Sequence, residues 1–117
     1  SYLASMSPLF AVLLLTAGIA AAQACDGCKC CDASLITVTT SGPGSHPFQS
    51  DTTNKDGQCT VRTFTCTGPS STHIQINKEF VIMGTTEMSL EATCNAAGTA
   101  WEYKGTVITE LECASAE

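Results

Sequence analysis

Apolar and polar residues alternate along much of the chain, but the first two dozen residues follow a different pattern. Residues 9–22 (LFAVLLLTAGIAAA) form an almost continuous apolar run. The run ends in a small-x-small pattern, Ala22-Gln23-Ala24. An apolar core of this length with a small-residue exit is typical of a secretory signal peptide. A membrane anchor is the alternative, but a spanning helix needs about 20 predominantly apolar residues. We therefore predict a signal peptide over residues 1–24, with cleavage before Cys25 or, as a second choice, before Gln23.

The rest of the chain, residues 25–117, consists of short β-type segments between turn residues. The alternation is clearest in EMSLEATC (Glu87–Cys94), whose apolar residues would all lie on one face of a half-buried strand. Composition or alternation predicts further strands at Ser34–Thr40, Cys59–Cys66, His73–Asn77, Phe80–Met83, Trp101–Tyr103 and Thr106–Cys113. The stretch between the first two, Ser41–Gln58, is rich in turn-forming residues and predicts a long irregular loop.

These about seven short strands, with frequent turns and no amphipathic helix, predict an all-β fold. We expect a small, disulfide-rich, antiparallel two-sheet sandwich, immunoglobulin-like or related. It would form one domain, with a cysteine cluster at residues 25–33 and strands over residues 34–113. A chain of this length buries only about 60–65% of its unfolded surface, so its core alone gives marginal stability.

The alternation also predicts which acidic residues face water. In the last strand it places Val107, Thr109, Leu111 and Cys113 inward, and Ile108, Glu110 and Glu112 outward. Together with Glu91 and Glu102, the outward glutamates would form an acidic face if their strands share a sheet. Such a face could meet a cationic protein or a divalent ion, although a solvated face that keeps the domain soluble is the simpler interpretation.

The charge balance limits the classes of partner. The formal net charge is −6, from 11 acidic and 5 basic residues. Nucleic acid and anionic membrane surfaces need clustered Lys and Arg and are therefore poor partners. We expect an extracellular protein or glycan partner, no nucleic acid, and no membrane span once the signal peptide is removed.

All eight cysteines lie after the apolar run, which predicts a disulfide framework formed in the secretory pathway. They are Cys25, Cys28, Cys30, Cys31, Cys59, Cys66, Cys94 and Cys113. Cys59 and Cys66 are an odd number of residues apart in one strand, so they should not pair with each other. Cys94 and Cys113 continue inward-facing apolar rows, and each can reach a bond across the core. The connectivity otherwise stays open.

The cluster C-x-x-C-x-C-C (Cys25–Cys31) also suits two other kinds of chemistry. Its thiolates could bind a soft metal such as Zn²⁺ or Cu(I), and Cys25-x-x-Cys28 matches a thiol-redox motif. A zinc site would normally bring a second cluster, and a redox motif needs a helix that this sequence does not predict. We therefore expect disulfides and no metal site, cofactor or catalytic residue, with a secreted redox or metal-binding protein as the alternative.

Two histidines and two aromatic residues are further candidates. His46 and His73 could act as general bases, but no serine stands in a nucleophile motif and both are expected at the surface. Trp101 is expected to pack on a disulfide in the core rather than to anchor a partner. For Tyr103, core packing and partner binding both remain open.

The cluster before a Thr-rich strand, the segment DGQCTVRTFTC and the closing ATCNAAGTAWEYKGTVITELEC carry a resemblance. Together they resemble a nematode six-cysteine extracellular domain family that has no established activity. The resemblance implies a secreted module and a bond between the family's first and third cysteines. On this chain that bond would join Cys59 to one cysteine of the cluster, most plausibly Cys28. The chain has four cysteines in the cluster where the family needs two.

Overall fold

A computed structural model describes Cys25 and residues 27–116. The predicted signal peptide, residues 1–24, lies outside the described residues. Within the described part, no helix is long and apolar enough to span a membrane.

In the described part of the chain, ten strands follow two short 3-10 turns, Gly27–Lys29 and Ala33–Leu35. The strands are β1 Thr37–Thr39, β2 Ser45–His46, β3 Ser50–Asn54, β4 Val61–Thr67, β5 Ser70–Ile76, β6 Phe80–Met83, β7 Glu87–Cys94, β8 Trp101–Tyr103, β9 Thr106–Ile108 and β10 Glu110–Ala116. The all-β prediction is confirmed, with about ten strands rather than seven.

The strands form two sheets packed as a sandwich. Sheet I has the order β9-β8-β7-β4-β3, and all its neighbouring strands are antiparallel. Sheet II has the order β1-β10-β5-β6, and the short β2 pairs with β10 beyond the end of β1. The pairing of β1 with β10 is parallel, which the antiparallel prediction missed. Sheet II therefore ends at β6 on one side.

The core lies between the sheets and is built by the alternation of the long strands. In β7, Leu90, Ala92 and Cys94 are buried while the residues between them are exposed, as the sequence predicts. Ile74 and Ile76 of β5 supply the facing layer. Burying one such side chain stabilises the fold by about 1.5–3 kcal/mol.

The predicted bounds Cys59–Cys66 and His73–Asn77 shift to Val61–Thr67 and Ser70–Ile76, and three other predictions differ more from the structure. Only residues 37–39 of the first predicted strand are extended, and the predicted loop at residues 41–58 contains β2 and β3. The predicted strand Thr106–Cys113 is two strands, because the chain passes from sheet I to sheet II at Thr109. The passage reverses the alternation, so that Ile108 is buried and Val107 is exposed, the opposite of the prediction.

Candidate functional site

All eight cysteines are paired in four disulfides. The bonds join Cys25 to Cys30, Cys28 to Cys59, Cys31 to Cys94 and Cys66 to Cys113. Cys59 and Cys66 are not joined to each other, as strand parity requires, and Cys28 is the partner of Cys59 that the family resemblance implied. Cys28 and Cys31 are thus the cluster cysteines that cross-link to the sandwich, while the bond Cys25–Cys30 stays within the cluster.

The cluster is held against sheet I by main-chain contacts as well as by sulfur. The N–H of Thr60 donates to the carbonyl of Cys28 over 2.9 Å. The turn after β7 lies directly against Gly27 and Cys30 of the cluster. A Cβ atom on Gly98 in that turn would meet the carbonyl oxygen of Gly27 at 2.4 Å, so this approach requires glycine. With all its cysteines oxidised, the cluster ties the N-terminal segment to the sandwich.

Trp101 is part of that tie. It is only 2% exposed and pairs across the strands with Cys94, so it packs beside the bond Cys31–Cys94. Its indole N–H donates to the carbonyl of Asp32 over 2.9 Å, which also fixes the chain just after the cluster. The predicted core role of Trp101 is confirmed. Tyr103, which the sequence left open, is half-buried at the edge of the core.

Arg62 is a buried charge that the sequence analysis missed. It shares the inward face of β4 with Phe64 and Cys66, and only 6% of it is exposed. Its guanidinium makes two 2.8 Å hydrogen bonds to the carboxylate of Asp51 in β3, and its Cζ lies 4.6 Å from the Phe64 ring centre. A third N–H donates to the carbonyl of Ala33. The planar fork satisfies a charge that would otherwise be costly to bury.

His46 is half-buried, at the wall of a surface cleft. Its Nδ1 lies 3.0 Å from the carbonyl oxygen of Pro47 and its Nε2 lies 3.2 Å from the hydroxyl of Ser115, at a cleft of about 520 Å³. A hydroxyl–imidazole pair is the minimum for a nucleophile and a base, but here a carbonyl stands where an orienting carboxylate would. The N–H of Ser115 donates a hydrogen bond to the carbonyl of Gly44. This arrangement fixes β2 against β10.

His73 is also half-buried, on the outer face of sheet II. It lies between Ala114 of β10 and Met83 of β6 in the cross-strand register. It is thus a partly covered surface residue, consistent with the prediction.

The predicted acidic face does not exist as one surface. Glu91 and Glu102 lie on sheet I, whereas Glu110 and Glu112 lie on sheet II, because the strands do not share a sheet. Glu110 pairs with Lys78 at 3.6 Å. Glu112 is only 6% exposed, so the expectation that it faces water is wrong.

The loop between β1 and β2 covers Glu112. Its carboxylate accepts hydrogen bonds from the N–H of Gly42 at 2.6 Å and from the hydroxyl of Thr39 at 2.8 Å. The Gly42 N–H, followed by hydroxyl groups that include Thr39, lowers the pKa of Glu112 to about 2. The glutamate is a clamp that holds the loop on β10.

An apolar surface at the edge of sheet II was also missed by the sequence analysis. Phe80, Val81 and Met83 of β6 are 44%, 44% and 66% exposed. Behind them a groove of about 140 Å³ runs between β6 and the β8–β9 hairpin. The groove is lined by Ile76, Phe80, Ile82, Tyr103, Lys104 and Thr106. The apolar sequence FVIM could have indicated this surface. Such a sequence is typical of a core strand, and only the strand order shows that it lies at the edge of a sheet.

The fold and the sulfur framework define a class of protein, a small β-sandwich domain cross-linked by disulfides. Comparison with known families gives a match to the C6 domain over residues 31–113. The chain belongs to that family. No curated protein and no solved structure matches the chain.

Proposed function

We propose that the chain is a secreted extracellular module that binds a partner or serves a structural role and has no catalytic activity. The oxidation of all eight cysteines carries this proposal. Disulfides persist in oxidising compartments and are rare in the cytosol. Membership of the C6 domain family supports the proposal, as does the resemblance to nematode extracellular domains.

The apolar run at residues 9–22 supports secretion, with a signal peptide that ends next to Cys25. Expression of the full 117-residue chain in a secretory host tests this. We expect the protein in the medium, with an N-terminus at or within two residues of Cys25. Retention in the cell, or a secreted product that keeps residues 9–22, would contradict the proposal.

A secreted thiol-redox or metal-binding protein is the second candidate. The pair that the sequence suggested for redox chemistry, Cys25 and Cys28, is divided between two bonds. The bond Cys25–Cys30 is the one that favours the redox candidate, because Cys25 is exposed and the bond does not reach the sandwich. A thiol count on the secreted protein separates the candidates: none free for the module, a reducible exposed pair for redox, and several plus bound metal for the metal-binding protein.

A further inference from the structure

The outer edge of β6 offers unused backbone hydrogen bonds. The N–H of Gly84 donates to the carbonyl of Thr72 over 2.8 Å, which fixes the pairs that exchange hydrogen bonds between β5 and β6. Since such pairs alternate along an antiparallel ladder, Ile82 bonds to β5 while Val81 and Met83 direct their N–H and C=O groups away from it. No strand of the described residues pairs with that edge.

The side chains of this edge do not protect it. Natural edge strands usually carry lysine, proline or a bulge, which oppose pairing with another chain. The strand Phe80–Met83 has none of these, and half of the large exposed apolar side chains in the described residues belong to it. An edge of this kind is suited to the addition of a strand from another chain.

The groove beside the edge determines which side chains an added strand would carry. Phe80 and Ile82 face the core with Ile74 and Ile76, so the inward residues of an added strand would lie over the same apolar groove. Successive strand residues point to opposite faces, so every second residue of the added strand should be apolar.

One charge lies at this groove. Lys104 lines the groove, and its ammonium group lies 5.5 Å from the ring centre of Tyr103. Within the described residues, no carboxylate is within 4.0 Å of it. A carboxylate on the added strand would complement Lys104. A second copy of the chain fits less well, because two molecules of formal charge −6 repel each other.

We propose that the free edge of β6 and its groove bind an extended segment of a partner protein, apolar at alternate positions and bearing a carboxylate that meets Lys104. The inference rests on the proposed function, since it names the surface and the kind of partner of an extracellular module. Backbone hydrogen bonds to Val81 and Met83 supply affinity, and the groove and Lys104 supply selectivity.

A synthetic peptide tests the proposal on the secreted product of the full chain. The probe is acetyl-Ser-Val-Thr-Val-Thr-Glu-Thr-Ser-amide, titrated against ¹⁵N-labelled protein; its glutamate lies on the same face as the valines, toward the groove and Lys104. We expect amide shifts centred on Val81 and Met83. The same peptide with lysine in place of glutamate should bind more weakly, and Lys104→Glu should reverse that preference.

A pair of matched variants isolates the edge. Val81 and Val107 are both 44% exposed and both lie on edge strands with an N–H that is not used in the ladder. Proline is tolerated at such positions and removes one donor. Val81→Pro should weaken binding about tenfold, the effect of one lost hydrogen bond, whereas Val107→Pro should leave it unchanged. Val81→Lys supplies a second test that does not depend on the backbone angles of proline.

Four results would overturn the inference: no binding at millimolar peptide, equal weakening by both proline variants, no response to Lys104→Glu, or dimerisation of the protein through β6. If the protein is secreted with no free thiol and the peptide still does not bind, this inference fails while the proposed function stands.

Discussion

Arg62 shows what the sequence reveals at the scale of single residues. Residues 62, 64 and 66 share a face of β4, so the alternation could have placed Arg62 beside Phe64 and Cys66 on the inward side, but this was not predicted. What the sequence did not supply was its partner, because Asp51 stood in a predicted loop. The structure places Asp51 in β3, in the strand next to Arg62. A charge on the inward face of a strand can be predicted only when the position of its counter-ion is also known.

We expect Arg62→Ala to lower the free energy of unfolding by about 2 kcal/mol, because it removes the charged hydrogen bonds of a buried side chain. The Asp51 side chain that remains is 39% exposed, so water can solvate its charge. Arg62→Lys should recover only part of this loss, since lysine has no planar fork with which to bind both oxygens of Asp51. Urea denaturation of the secreted protein measures both effects, with Thr63→Ala on the opposite face of β4 as the control. A loss for Arg62→Ala no larger than the control's would contradict this account of the pair.

At the scale of elements, alternation within a strand was a reliable guide and the ends of strands were not. Glu87–Cys94 has the bounds and the buried face that the sequence predicts. The segment Thr106–Cys113 fails because a period-2 pattern carries no mark of the residue at which a chain leaves one sheet for the other. That residue, Thr109, donates its N–H to the side chain of Asn77, a contact between distant parts of the chain.

Glu112 illustrates a second limit of the pattern. It does point outward from sheet II, since it alternates with the buried Leu111 and Cys113. A loop then covers it, and loop placement depends on contacts that alternation does not encode. The carboxylate joins two elements through hydrogen bonds that favour its charged form.

The sign of the pH effect follows from the lowered pKa. The pKa of Glu112 is about 2 in the folded protein against an ordinary value of 4.5, so its stabilisation is fully present above about pH 4.5. The stabilisation is lost as the pH falls from about 4.5 through about 2. Glu112→Gln should therefore be less stable than the natural chain at pH 7, by on the order of 2–3 kcal/mol, and the gap should shrink over that range.

Urea denaturation at a series of pH values measures this gap. Glu91→Gln, which changes an exposed glutamate of β7, controls for the loss of one negative charge. A gap for Glu112→Gln that is the same at pH 7 and near pH 2 would show that the clamp does not depend on the charge of the carboxylate.

At the scale of the whole molecule, disulfides compensate for the small size of the core. The bonds Cys28–Cys59, Cys66–Cys113 and Cys31–Cys94 join residues separated by 31, 47 and 63 positions. In the chain-entropy account each contributes about 4 kcal/mol, so together they rival the whole stability of a domain of this size. The bond Cys25–Cys30 spans only 5 positions and contributes about half as much as each of these.

Sequence reasoning gave parts of this framework. Parity excluded the pair Cys59–Cys66, and the family resemblance indicated Cys28 as the partner of Cys59. Nothing in the sequence joined Cys94 to Cys31 or Cys113 to Cys66, because those pairings depend on how the two sheets face each other. The free edge at β6 could not be predicted for the same reason, since strand order is set by contacts between segments far apart in the chain.

The central proposal is that the cysteine cluster ties the β-sandwich of an extracellular module together and is not a chemical site. Digestion of the secreted protein without reduction, followed by mass spectrometry of the linked peptides, tests this most directly. We predict the four bonds Cys25–Cys30, Cys28–Cys59, Cys31–Cys94 and Cys66–Cys113 and no free thiol. Fewer than four bonds, or a peptide that links Cys59 to Cys66, would contradict it.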